Sequence, residues 1–361
     1  MRAQERYPKS AHEDEEPVAI DVIIPLYNGA PWICEAIDSV LSQDVLPDKV
    51  VVVDDGSTDA SPELVRAYLQ VELVTNPGKG SSAARNVGVL RTHSPFVAFL
   101  DQDDVWHPSH LRLLVQALGR HPNASAAFAV ASSFEHGAPE YSIPPMHVTF
   151  FDPWAQFPFT VGVDGPSLAL IRRSALEKAG MWDVRATNMG DPLLFLKFAV
   201  LSPLLRLTCR TVGKRVHPGQ LWLKVREQGT AYLDFRSKVM RLALDFRRQQ
   251  LPSDPTIEAY RRRLDSLRIL RDLTAAIRAE DLREVPRLGH ELEHKLFGEA
   301  PELIRHAFYC LMGALFAIHD SERLRVERDR VFSGLLEAWP KDASQTRTVL
   351  QGLIGEKPRV S

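Results

Sequence analysis

The run Phe96-Val97-Ala98-Phe99-Leu100-Asp101-Gln102-Asp103-Asp104-Val105-Trp106 sets three carboxylates at the end of an apolar stretch, with no basic residue among them. Carboxylates so close together need a cation, and hard divalent ions such as Mg²⁺ or Mn²⁺ take carboxylate oxygens while sharing their other positions with phosphate and water. In an extended chain residues two apart project to one face, so Asp101 and Asp103 are expected to converge while Asp104 faces away. An acidic turn capping a helix that starts near Pro108 would look the same locally. The elements around the cluster have to decide between the two.

Those elements alternate. Strand Ala19–Pro25 leads to a helix over 31–42; strand Lys49–Val53, a β-branched run of the kind buried on both faces of a parallel sheet, leads to a helix over 60–69. Strand Val71–Thr75, a Gly-rich turn, a helix over 81–91 and the strand ending at Asp101 complete the pattern. This predicts an α/β, Rossmann-like, doubly wound and mostly parallel sheet flanked by helices. In such sheets ligands bind beyond the carboxyl ends of the strands. Here those ends carry Pro25-Leu26-Tyr27-Asn28, Asp54-Asp55-Gly56-Ser57, Asn76-Pro77-Gly78-Lys79-Gly80 and Asp101-Gln102-Asp103-Asp104, four polar turns lining one crevice.

Residues 135–166, rich in Pro and aromatics, predict irregular strands and loops over that crevice, where an acceptor would lie. Strand 166–171, helix 174–179, apolar helix 192–201 and strand 204–212 follow. Beyond about residue 225 only helical patterns remain. Tyr260, Leu264, Leu267, Leu270, Leu273 and Ile277 recur on one apolar face, and Arg261, Arg262, Arg263, Arg268, Arg271 and Arg278 leave the remainder basic. The division expected is a disordered tail over 1–17, a catalytic domain over 18–225 and a helical region over 226–361. The helical region would cap the domain or associate with itself, and peripheral membrane contact is the rival reading of its basic face.

Composition narrows the partners. Lys+Arg 44 against Asp+Glu 46 gives a formal net charge of -2, which offers no global attraction to nucleic acid or an acidic membrane. Cys34, Cys209 and Cys310 are far apart and lack zinc or redox spacing, and the polar first residues carry no apolar leader. The stretch 307–318 is too short to span a bilayer. A reduced, cytoplasmic protein is expected, placed at most peripherally at the inner face of the membrane.

Taken together, Asp21-Val22-Ile23-Ile24-Pro25-Leu26-Tyr27-Asn28, Val51-Val52-Val53-Asp54-Asp55-Gly56-Ser57-Thr58-Asp59, Ala84-Arg85-Asn86-Val87-Gly88 and Phe99-Leu100-Asp101-Gln102-Asp103-Asp104-Val105-Trp106 resemble, in order and spacing, the inverting family 2 glycosyltransferases of the GT-A fold. The resemblance covers roughly 19–220. It implies transfer of a sugar from a nucleoside-diphosphate sugar, UDP-linked in expectation, to an acceptor hydroxyl of a glycan, a lipid-linked glycan or a small molecule, with Mn²⁺ or Mg²⁺ as cofactor. It implies that Pro25, Tyr27, Asn28 and the Asp54/Asp55 pair meet the nucleoside, with one Asp accepting from the base N–H, and that Arg85 meets phosphate or base. By the same resemblance Asp101 and Gln102 contact the donor, Asp101 and Asp103 form the Asp-X-Asp motif that holds the metal, and His217 of His217-Pro218-Gly219 joins the diphosphate or metal. Asp191 takes the place of the catalytic base, with Gly190 standing where the family usually has Glu. Trp106 reads as packing, Lys79 as a further phosphate candidate, and Asp164 as a sugar contact or a turn residue. Each aspartate has a structural rival in turn formation or helix capping.

Two other enzyme classes and one binding role compete. Gly78-Lys79-Gly80-Ser81-Ser82-Ala83 after a strand fits a dinucleotide fingerprint and would make a nicotinamide-dependent oxidoreductase, but it follows the third strand and leaves Asp191 unexplained. A sugar nucleotidyltransferase would need a Gly-rich basic loop after the first strand, where Pro25-Leu26-Tyr27-Asn28 stands. Gly190 motivates a non-catalytic nucleotide-sugar-binding protein.

Overall fold

A computed structural model of the chain describes residues 18–160, 162–163, 165–220, 230–279, 282–315 and 321–353. The tail over 1–17 and Asp164 lie outside the described residues.

The β-branched runs form β1 (Ile20–Leu26), β2 (Lys49–Asp54) and β3 (Val71–Thr75), joined by β4 (Phe96–Phe99) into a parallel array ordered β3-β2-β1-β4. Helices α1 (Ile33–Leu41), α2 (Ser61–Arg66) and α3 (Ser81–Leu90) make the crossovers. Strand order reverses between β1 and β4, which is where a crevice opens in such sheets. Leu100 N donates to Ile23 O at 3.1 Å as the last bond of that ladder, while on the other side of β1 Leu26 O accepts from Asp55 N at 2.8 Å. Backbone groups alternate sides along a strand, so the N–H that Pro25 lacks would point toward β4 where β4 has already turned away. The proline therefore costs no ladder bond there.

The second half is mixed. β5 (Val105–Trp106), α4 (His110–Arg120), β6 (Ala126–Phe134), β7 (Val148–Phe151), β8 (Ala169–Arg172), α5 (Arg173–Lys178), α6 (Gly190–Leu201) and β9 (Leu204–Arg215) extend the sheet as β4-β8-β6-β9-β5, with β7 along β9. β8 is antiparallel to β4 and β6, whereas β6 and β9 run parallel. Long β6 was not foreseen, and α6 begins two residues before the expected Pro192. Asp191 thus lies in the first turn of α6 rather than at its cap.

After residue 230 the described residues are helical. In α7 (Thr230–Gln250), Leu233, Val239, Met240 and Ala243 are buried, and Arg236 donates to Pro158 O at 2.8 Å. In α8 (Ile257–Arg278), Tyr260 meets the rings of Trp154 and Phe157 at 5.0 and 5.6 Å, and Leu264, Leu267, Leu270 and Leu273 are buried as expected. The face expected to be left basic is largely neutralised. Arg261 pairs with Glu258, Arg263 with Glu299, Arg268 with Asp272 and Glu291, and Arg271 with Asp234 and Asp272. Among the described residues no helix is long and apolar enough to cross a membrane.

Candidate active site

Residues 101–104 form a turn, with Asp104 N donating to Asp101 O at 3.0 Å. The extended-chain expectation that Asp101 and Asp103 converge is therefore corrected, because a turn sends their side chains to different partners. Asp101 Oδ1 accepts from Arg85 at 2.6 Å, whereas Asp103 Oδ2 meets His217 Nε2 at 3.0 Å. Asp104 is buried, accepting from Ser167 Oγ at 2.7 Å and lying 3.5 Å from Lys214 Nζ. Burial pushes its carboxyl up to about 7, with the Lys214 cation opposing and the Asp103 and Asp101 charges adding.

Arg85 holds the centre. Its buried guanidinium also reaches Asp191 Oδ1 at 3.3 Å, so one cation bridges the end of β4 and the start of α6. It lies 4.7 Å over the Trp182 ring. Burial disfavours the Arg85 cation, but Asp191 and Asp101 outweigh it and hold its pKa above the ordinary value. For Asp191 burial is again the largest influence and raises its carboxyl; Arg85 opposes, Asp101 adds and Lys214 opposes. The second oxygens of both carboxylates and the Lys214 ammonium face the backbone of Gly165. A Cβ there would stand 3.2 Å from Lys214 Nζ, 3.9 Å from Asp101 Oδ2 and 4.0 Å from Asp191 Oδ2, at a φ of +106° that itself favours glycine.

The nucleoside candidates separate into a surface and its scaffold. Tyr27 is exposed at the crevice. Gln102 Oε1 accepts from Tyr27 N at 2.7 Å and Gln102 Nε2 donates to Tyr27 O at 3.0 Å, so this side chain fastens the ends of β1 and β4 where the ladder parts. Asn28, at φ 50°, accepts from Thr58 N at 2.8 Å and donates its own N–H to Ser57 Oγ at 3.0 Å. Asp55 is engaged on both oxygens, by Asn76 Nδ2 at 2.6 Å and Gly80 N at 2.8 Å. Asp54 has one oxygen held by Ser57 N at 2.9 Å.

The loop read as a dinucleotide fingerprint follows β3 at the sheet edge, and its Gly78 and Gly80 N–H groups donate to Asn76 and Asp55. Lys79 reaches Gly56, where a Cβ would lie 3.8 Å from its Nζ. Trp106 packs as expected, donating to Ser167 O at 2.7 Å. His217 lies tilted against the Trp32 ring with centroids 4.1 Å apart, and the neighbouring Arg215 pairs with Glu35 at 2.6 Å, so α1 holds the tail of β9. Among the described residues no three His, Cys, Asp or Glu side chains gather as a metal site; Asp103 and His217 meet each other as a hydrogen-bonded pair. Trp32, Ser167 and Trp182 escaped the sequence reading. Trp32 and Trp182 work through ring contacts and Ser167 through its hydroxyl and carbonyl, and no spacing in the chain announces these contacts.

The reversal of strand order, with Asp101, Asp191 and the buried Arg85 beside it, belongs to a mixed sheet of the GT-A type. S. aureus TarS 1-349 shares it, with TM-score 0.52 at 17% identity over 92% of this chain and 90% of that one, and its complex with UDP-GlcNAc gives 0.55. Residues 21–180 match the family described as glycosyl transferase family 2. That match covers less than half of the chain, and over it the chain is similar to family 2 glycosyltransferases. Relatives include an uncharacterized glycosyltransferase of Nostoc sp., 38% identical over 27% of this chain and 32% of its own length. The succinoglycan biosynthesis protein ExoO of Rhizobium meliloti is 38% identical over 28% of this chain and 31% of its own length, and a glycosyltransferase of Rickettsia felis 35% over 26% and 16%. The matched segment thus spans a third or less of each relative's length.

Proposed function

We propose that the protein is a metal-dependent, inverting glycosyltransferase that moves a sugar from a UDP-linked donor to an acceptor hydroxyl in glycan or polysaccharide assembly. The observation that carries this reading is the Arg85 bridge, which ties a donor-side carboxylate, Asp101, to Asp191 across the crevice. Inversion requires a base on the side of the anomeric carbon away from the leaving group. Asp191 suits that role because burial raises its carboxyl toward better basicity while Arg85 fixes one oxygen and leaves the other toward Gly165.

Asp54, with one oxygen free of the turn it closes, accepts from the base N–H, and exposed Tyr27 lies beside the ring; Asn28, Asp55 and Gln102 shape the loops that hold them. A divalent cation, Mn²⁺ or Mg²⁺, fits the carboxylate and imidazole of Asp103 and His217, two ligands that leave positions for phosphate oxygens. Such an ion would neutralise charge developing on the departing diphosphate. The UDP-GlcNAc complex of TarS supports a UDP donor, and the naming of ExoO for succinoglycan biosynthesis supports polysaccharide assembly.

The test is UDP release from UDP-sugars. Asp191→Asn is expected to lower turnover by about 10²- to 10⁴-fold while UDP still binds; a variant that turns over like the wild type contradicts the assignment.

A further inference from the structure

We infer that Gly190 is a positioning residue: the bare Cα in the first turn of α6 seats that helix on Ser82 of α3, and the contact sets where Asp191 stands against Arg85. The inference rests on Asp191 acting as the base. A Cβ built at Gly190 would stand 2.6 Å from Ser82 Oγ, an overlap, but 3.8 Å from Ser82 Cβ, an ordinary contact. It would also lie 3.4 Å from Trp182 Cε3.

The overlap is with the Ser82 hydroxyl, which either turns within a buried site or pushes α6 away, and the packing around it favours the push. Ser82 and Trp182 are buried, and Asn86 fixes the Trp182 backbone by accepting from its N at 3.0 Å and donating to its O at 2.9 Å. α6 is buried around most of its circumference, with Leu193, Leu194, Phe195, Leu196 and Phe198 in the core, and close-packed cores absorb little added volume. Ser82 and Arg85 are one turn apart on α3, and Gly190 and Asp191 are adjacent on α6. A push at the first contact therefore moves the ion pair beside it. It follows that the glutamate usual in the family has no space here, and that restoring it harms rather than improves the enzyme.

Turnover of UDP-GlcNAc, UDP-glucose and UDP-galactose, read as UDP release alongside UDP calorimetry, tests this. Gly190→Ala is expected to lower kcat roughly ten- to a hundredfold with KM and UDP affinity held, as misplacement of a reacting group does. Gly190→Glu is expected to fall at least as far. Ser82→Ala alone keeps turnover, and Gly190→Ala combined with Ser82→Ala recovers it to within about threefold, because the two methyl groups then meet at normal contact. A Gly190→Ala enzyme equal to wild type, or a folded double variant no better than the single one, overturns the inference. Should Gly190→Ala not fold, the double variant alone decides by the same criterion. A wild type that releases no UDP from any of the three donors overturns the UDP-donor reading on which the inference rests, a result distinct from failed rescue in an active enzyme.

Discussion

A guanidinium shared by two carboxylates fixes both and leaves each with a second oxygen for chemistry, and this division of labour separates the aspartates of the site. Asp101 and Asp191 are tied to Arg85, Asp103 to His217, Asp104 to Ser167 and Lys214. Asp103→Asn and His217→Ala are accordingly expected to weaken Mn²⁺-dependent UDP binding by roughly tenfold or more while sparing any metal-independent binding; calorimetry with and without Mn²⁺ checks this, and loss equal to that in Asp191→Asn would mean the roles are exchanged. Asp104 makes a stability prediction. Its buried carboxyl is pushed up to about 7, well above that of an unfolded aspartate, so the folded chain holds a proton that the unfolded chain releases. That contribution is complete below the unfolded value and is lost as pH rises through 7. The melting midpoint should fall between pH 5 and 8, and Asp104→Asn should flatten the slope; an unchanged slope would contradict it. The types and order of Asp54, Arg85, Asp101, Asp103, Asp191 and His217 were readable in the chain. Their partition was not, because it depends on a turn whose hydrogen bond from Asp104 N to Asp101 O leaves no mark in the spacing.

At the scale of elements, the parallel half was legible because Val50, Val51, Val52 and Val53, and Val22, Ile23 and Ile24, are apolar and β-branched, and such runs are hard to bury except in a sheet covered on both faces. β6 was not legible: Ala126–Phe134 is Ala- and Ser-rich, with Val130 its one β-branched residue and no alternation, and becomes a strand through pairing with β8 and β9. The start of α6 was displaced because proline is tolerated throughout a first turn, so Pro192 does not mark the first residue. The seating of α3 on β1 is the tightest approach between elements near the site. A Cβ at Gly88 would come 2.4 Å from Ile23 Cγ2. Gly88→Ala should cost about 1–3 kcal/mol of stability, measured as a lower denaturant midpoint at unchanged slope. A neutral substitution would mean that α3 can slide, and the Arg85 bridge would then lack its rigid base.

For the whole molecule, the helices after residue 230 are part of one apolar core with the sheet domain through Trp154, Phe157 and Tyr260, and their arginines are satisfied largely among themselves. We expect them to cap the catalytic domain, so removal of 230–361 should abolish UDP release and lower the melting midpoint; a truncated monomer with full activity would contradict capping. We expect the crevice between β1 and β4 to bind a nucleoside diphosphate through a divalent ion, and calorimetry of UDP, GDP and NAD with Mn²⁺ and then with EDTA reads this. UDP binding that Mn²⁺ supports and EDTA removes is the expected result; metal-independent binding of NAD in place of UDP would contradict it.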